Sequence, residues 1–208
     1  MRTLARGVMA GISELSATDD PLELFGEWLS DAERSGLLLP ESMSLATASP
    51  GAAPSVRMVL LKGVDERGFR FFTNYESRKA GELDENPQAA LCFHWSVLER
   101  QVRVEGAVER LTPEESAAYF RSRARGSQIG AWASEQSRPV ASRADLERRV
   151  REIEARFEGE DVPLPEYWGG YVLRPTRIEF WQGRANRLHD RLVYTRATGG
   201  WDVTRLQP

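Results

Sequence analysis

Two lysines, Lys62 and Lys79, stand among 28 basic side chains, and all the others are arginine. Both fall at the ends of predicted elements: Lys62 closes the run Arg57-Met-Val-Leu-Leu-Lys62, and Lys79 follows Asn74-Tyr-Glu-Ser-Arg78. A compact ammonium serves as a point charge for a phosphate or an electron-rich ring atom, where a planar guanidinium favours forked contacts. Further cations, Arg57, Arg78, Arg123, Arg187 and Arg191, lie at comparable strand and helix ends. Interleaved with them are Gln101, Tyr119, Gln136, Ser137 and Trp181, side chains suited to reading a flat, hydrogen-bonding ring. The inventory fits two planar, phosphorylated molecules stacked together.

In Arg187-Leu-His-Asp-Arg191, strand alternation sets Arg187, His189 and Arg191 on one face. Two readings stay open: a solvent-facing edge strand with paired charges, or a cationic pocket in which His189 exchanges hydrogen bonds near neutral pH. Ideal alternation also sends Arg57 and Lys62 to opposite faces, so a bulge, a strand-end turn or a second subunit has to reconcile them. His94 and His189 are the only histidines and no thiolate cluster accompanies them, so no metal is expected. No serine stands in a nucleophile elbow, and no Gly-rich phosphate loop occurs.

The elements that must position these groups are legible from periodicity. Asp20-Pro21 opens a helix with Leu22, Phe25, Trp28 and Leu29 on one face, ending near Gly36. Strand-like segments follow at 44–48, 55–63, 68–73, 89–95 and 101–111, separated by Gly, Pro, Asn and Asp, and five in succession suggest a barrel. Ser77 is placed to cap a short helix over 77–83, and Thr112-Pro-Glu-Glu115 is a capping box leading into 116–123, with Tyr119 and Arg123 on one face. Leu146, Val150, Ile153 and Phe157 mark another amphipathic helix over 145–157. Strands return at 170–173, 177–181, 187–194 and 201–206, with Thr198-Gly-Gly200 as the last hairpin turn.

The 208 residues, 41% hydrophobic and 28% charged, have the makeup of one domain, 20–208, preceded by a segment, 1–19, that lacks strong periodicity and reads as flexible. A formal charge of −3 argues against a nucleic-acid partner. The single cysteine, Cys92, reads as a small buried hydrophobe in a reducing, cytoplasmic setting, and no membrane span or signal segment is seen.

Six ordered stretches resemble the pyridoxamine 5′-phosphate oxidase family: RMVLLKG at 57–63, FFTNYESRKA at 71–80, ERQVRVEG at 99–106, YFRSRARGSQIGAWASEQS at 119–137, PEYWGG at 165–170 and EFWQGRANRLHDR at 179–191. The resemblance implies a mainly β fold with peripheral helices (α+β), an FMN-binding split β-barrel, forming a homodimer with interfacial active sites. It implies oxidation of pyridoxine 5′-phosphate or pyridoxamine 5′-phosphate to pyridoxal 5′-phosphate, with O2 as acceptor and H2O2 as by-product. Carried over by position, FMN would be held by Arg57, Met58, Val59, Leu60, Leu61, Lys62, Phe72, Thr73, Arg78, Lys79, Gln101, Gln136, Ser137, Trp181 and Arg191. Substrate would meet Lys62, Tyr119, Arg123, Ser127, Arg187 and His189, with Arg187 and His189 the catalytic pair that holds the pyridine ring against the flavin.

Two departures stand out. Arg123-Ala124-Arg125 replaces the Arg-Pro-Arg that members often carry, and no tyrosine precedes Tyr75 where the family can supply one to a lid. The alternative readings are a split-barrel flavin oxidase on another ring, of the phenazine-pathway type, and a non-catalytic carrier of FMN or pyridoxal phosphate. Tyr119, Arg123 and Ser127 favour a phosphorylated substrate over a phenazine-type carboxylate.

Overall fold

Capping and amphipathic spacing build the first element as expected. In the computed structural model, which describes Ile12 and residues 20–208, Asp20 Oδ1 accepts from Leu22 N at 2.9 Å and starts helix α1 (Pro21–Arg34). The expected lid, 1–19, lies outside the described residues apart from Ile12.

Nine antiparallel strands follow: β1 (Ser42–Ala48), β2 (Pro54–Leu60), β3 (Gly63–Asp65), β4 (Gly68–Asn74), β5 (Gln88–Trp95), β6 (Arg100–Arg110), β7 (Trp168–Gln182), β8 (Asp190–Ala197) and β9 (Gly200–Arg205). They form one sheet in the order β2-β1-β5-β6-β7-β4-β3, with β8 added to β7 and β9 to β8. Register aligns the inward residues in rows: Leu45, Leu91, Val104, Ile178 and Tyr194 form one, and Phe93, Val102, Phe180 and Leu192 another. Every member is essentially sealed from solvent, and each large apolar side chain so buried contributes roughly 1.5–3 kcal/mol. Phe25 of α1 closes over them, edge-on to Phe69 and Phe93 at 4.8 and 4.9 Å. Because side chains alternate, the intervening rows face outward. One carries His94, Gln101, Trp181 and Arg191, and another carries Cys92, Arg103 and Glu179. Cys92, expected to be buried, is therefore only half-buried.

Two boundaries differ from the sequence expectation for identifiable reasons. The predicted strands 170–173 and 177–181 are one strand, β7, because Pro175, which cannot donate to a ladder, sits at a bulge where the register shifts between Glu105 and Gly106. A Cβ on Gly106 would lie 2.0 Å from Arg174 O, so the bulge requires glycine there. Conversely, the predicted strand 55–63 is broken. Leu61 turns into the core, Lys62 N donates to Arg70 O at 2.8 Å, and β3 begins only at Gly63.

Four more helices flank the sheet: α2 (Arg78–Glu85), α3 (Pro113–Ser122), α4 (Arg125–Ala133) and α5 (Arg143–Arg156). Both halves of the Thr112/Glu115 capping box are made. Ser77 occupies the N-cap position of α2, but its side chain makes no capping bond. Helix α4 has two glycines and no side-chain cap, so nothing local announces it. Burial of Ile129 and Ala133 holds it, Ile129 in a second apolar cluster with Phe120, Phe157, Val162 and Trp168. Among the described residues no helix is long and apolar enough to cross a membrane.

Candidate active site

The break after Leu60 answers the puzzle of Arg57 and Lys62. Leaving the ladder resets alternation, and the two side chains line one groove of about 310 Å³ with Met58, Val59, Leu60, Phe72, Thr73, Lys79, Tyr119, Arg123, Gln136 and Trp168. Ser127 lines an adjoining hollow of about 260 Å³ that shares Arg123, Gln136 and Trp168. Leu61, by contrast, points into the core, and Arg78 and Ser137 are exposed beside the groove.

Fixed hydrogen bonds order the cationic end of this groove. Lys79 Nζ donates to Gln136 Oε1 at 2.6 Å, Thr73 Oγ1 at 3.0 Å and Ser77 Oγ at 3.3 Å, which is where the Ser77 hydroxyl goes instead of capping α2. Burial, then the neighbouring Arg57, pushes the Lys79 ammonium down to about 8, with Glu82 acting in the opposite sense. Glu82, buried on α2, is the acceptor that organises the arginines. One of its oxygens takes bonds from Thr47 and Ser55, each at 2.5 Å, and from Arg57 at 3.2 Å, and the other takes Arg78 Nε at 2.9 Å. Burial alone would raise this carboxyl, but the bonds from Ser55, Thr47, Arg78 and Arg57 hold it at about 2.

Across the groove, aromatic faces take the place of carboxylates. Tyr119 stacks on Phe72 at 3.9 Å, Phe72 on Trp168 at 5.5 Å, and the Arg123 guanidinium lies 4.6 Å from the Trp168 ring centroid. Arg123 Nη1 is buried without a hydrogen-bond partner, and burial lowers the arginine from its ordinary value. Lys62 meets Glu41 only at 3.9 Å. The groove is thus short of negative charge, a setting that favours an anionic ligand.

A second cluster lies elsewhere in the chain. Gln101, Trp181 and Arg191 are in register on the outward face of β6, β7 and β8, and His189 packs on Trp181 at 4.6 Å. His189 Nδ1 accepts from Arg184 N at 3.1 Å, which leaves the hydrogen of the neutral ring on Nε2. Arg191 donates to Glu179 at 2.8 Å and to the Gln207 carbonyl at 3.1 Å. Glu179, 2% exposed, also meets Arg103 at 3.3 Å and Arg177 at 3.5 Å. Arg187 does not share the strand alternation expected of it. Residues 185–187 form a 3₁₀ turn with positive φ at Asn186 and Arg187, and β8 starts only at Asp190. Arg187 is exposed at this turn.

Strand β7 fixes the span between the clusters. Trp168, beneath Arg123, begins it, and Trp181, beneath His189, lies thirteen residues further on, roughly 40 Å along the strand. Glu82, Trp168 and Glu179 were not singled out from sequence. Glu82 and Glu179 look like ordinary surface charges on a helix and a strand, and Trp168, though inside PEYWGG, carries no chemical signal until its neighbours are known. Among the described residues no cluster of His, Cys, Asp and Glu could hold a metal.

Residues 29–157 match the family model described as pyridoxamine 5′-phosphate oxidase, and 168–208 match the pyridoxine 5′-phosphate oxidase C-terminal dimerisation region. A protein of Rubrobacter xylanophilus named pyridoxine/pyridoxamine 5′-phosphate oxidase is 60% identical over 96% of this chain and 92% of its own length. One of the same name from Psychromonas ingrahamii is 55% identical over 99% and 95%. Among solved structures, PhzG from Burkholderia lata 383, in complex with tetrahydrophenazine-1-carboxylic acid, superposes with a TM-score of 0.91 at 30% identity, over 97% of this chain and all of that one. A pyridoxamine 5′-phosphate oxidase-related, FMN-binding protein from Nostoc punctiforme shares the fold at a TM-score of 0.74 and 18% identity, over 92% of this chain and all of its own. The curled sheet is therefore a split β-barrel, and since the two matched regions carry both residue clusters, the chain belongs to the pyridoxamine 5′-phosphate oxidase family.

Proposed function

We propose that this protein is an FMN-dependent oxidase that converts pyridoxine 5′-phosphate or pyridoxamine 5′-phosphate to pyridoxal 5′-phosphate, with O2 as acceptor and H2O2 as second product. The observation that carries the reading is the anion-poor groove, where Arg123 has no carboxylate partner among the described residues and Lys62 has only Glu41, at 3.9 Å. A phosphate monoester is the complementary ligand.

The donor set also suits the phosphate of FMN, because Glu82 preorganises Arg57 and Arg78 beside the buried Lys79 ammonium. Thr73, Gln136 and Ser137 complete that end, and Met58 to Leu61 supply backbone along the groove. FMN when bound supplies a two-electron acceptor that passes its electrons to oxygen. The chain's own residues bind and orient. Lys62, Tyr119, Arg123 and Ser127 grip the substrate phosphate, while Arg187 and the Nε2–H of His189 fix the pyridine ring.

Those two groups of residues stand at opposite ends of β7 in one chain, which supports a homodimer whose sites combine Arg123 of one copy with His189, Gln101, Trp181 and Arg191 of the other. A single free cysteine accords with a reducing, cytoplasmic setting. A phenazine-type carboxylate would leave the Lys62, Tyr119, Arg123 and Ser127 set without a purpose. The test is to purify the protein, record a flavin spectrum, and follow aldehyde formation with each phosphorylated vitamer beside its dephosphorylated form. A yellow protein that strongly prefers the phosphate esters is expected, whereas equal rates with and without phosphate would remove the proposal.

A further inference from the structure

We infer that Trp168 is a positioning residue for phosphate selectivity: its indole face substitutes for a carboxylate beneath Arg123, holding the guanidinium in the groove with its charge uncompensated. The inference rests on the proposed function, since it assumes that Arg123 meets a substrate phosphate.

Arginine buried in a protein is ordinarily paired with a carboxylate, as Arg57 is with Glu82 and Arg191 with Glu179. Such a pair orients the guanidinium but spends its charge. Arg123 is half-buried and has no carboxylate partner among the described residues, and its buried Nη1 bonds to nothing. What touches it is aromatic: Trp168 at 4.6 Å and Phe120 at 5.6 Å from the guanidinium carbon. A ring face attracts a cation through its quadrupole without forming hydrogen bonds, so the N–H groups stay available to a ligand. Trp168 is itself immobilised. It is 7% exposed, starts β7 with its N–H on Pro165 O at 3.0 Å, and is stacked against Phe72 and edge-on to Phe120. It also borders both the groove and the Ser127 hollow, where a phosphate gripped by Arg123 and Ser127 would lie. The Arg-Pro-Arg to Arg123-Ala124-Arg125 departure removes a backbone restraint next to this arginine, which leaves more of its placement to the indole.

The test is a double-mutant cycle on the flavin-loaded enzyme, crossing Trp168→Leu with Arg123→Ala and reading kcat and KM for pyridoxine 5′-phosphate and for pyridoxine. Trp168→Leu is expected to lower kcat/KM for the ester by roughly three- to thirty-fold, mainly through KM, the range of a cation–π contact. It should change the value for pyridoxine little, and have no further effect once Arg123 is alanine. Binding of inorganic phosphate, measured as competitive inhibition, should weaken in parallel. If Trp168→Leu does not fold, Trp168→Phe in the same cycle keeps a weaker ring face and should give a smaller loss, again only when Arg123 is present. Equal losses with both substrates, or losses additive with Arg123→Ala, overturn the inference. A wild-type enzyme that does not distinguish ester from alcohol overturns the proposed function instead.

Discussion

Raising the pH through about 8 should weaken FMN binding by removing the proton from Lys79. Burial first, and Arg57 second, lower this ammonium from 10.5 to about 8. A phosphate beside it brings negative charge and favours the protonated form, so the loaded protein keeps the proton to higher pH than the free one. Between those two values the association constant falls by up to tenfold per pH unit. With the ordinary 10.5 restored by the phosphate, the window spans about 2.5 units and the total loss reaches roughly 300-fold. Titrating apoprotein with FMN and following flavin fluorescence from about pH 7 to about pH 10 measures this, with riboflavin, which lacks the phosphate, as control. Lys79→Met should bind weakly at neutral pH and show a flat profile. For the apoprotein alone the sign is opposite. The unfolded lysine holds its proton to 10.5 while the folded one releases it near 8, so stability rises between those values. A flat wild-type FMN profile between about pH 7.5 and 9.5, or the same fall with riboflavin, would show that the Lys79 proton does not govern FMN binding.

Other outcomes follow from contacts already described. Glu179→Ala leaves three arginines without their common acceptor and should cost roughly 2–4 kcal/mol in urea unfolding at fixed protein concentration, below the ceiling for a fully buried pair because all three are partly solvated. In the wild type that contribution, held by a lowered Glu179 carboxyl, is present above its ordinary 4.5 and fades as the pH falls through the depressed value. Gly68→Ala puts a Cβ 2.0 Å from Leu173 O at a φ of +133°, and a loss of roughly 3 kcal/mol is expected in the same assay. Arg187→Ala and His189→Ala should each lower turnover more than flavin content. A variant that lost flavin yet kept normal turnover per bound flavin would cancel their assigned roles.

Local signals sufficed wherever local forces decide the structure. The Asp20 and Thr112 caps, the apolar face of α1 and the alternation of β5 and β6 each follow from residues within one turn or one strand. Sequence misled where a distant contact overrides local preference. Pro175 looks like a strand end until Gly106 on β6 provides a bulge opposite it, and α4 has no cap because Phe120 and Trp168 hold it from outside. Chemical types in the site were readable, as the convergence of Arg57, Lys62, Lys79, Tyr119 and Arg123 in one groove illustrates. The supporting groups were not, since Glu82, Trp168 and Glu179 derive their importance from partners far away in sequence.

If, as proposed, the length of β7 obliges two copies to share each site, two crippled chains become mutually curative. A mixed dimer of an Arg123→Ala chain and a His189→Ala chain would place both lesions in one cleft and leave the other whole. Random mixing makes about half the dimers hybrid, so co-refolding two impaired variants should raise turnover to about a quarter of wild type, above either variant alone, a genetic-style complementation performed in a test tube.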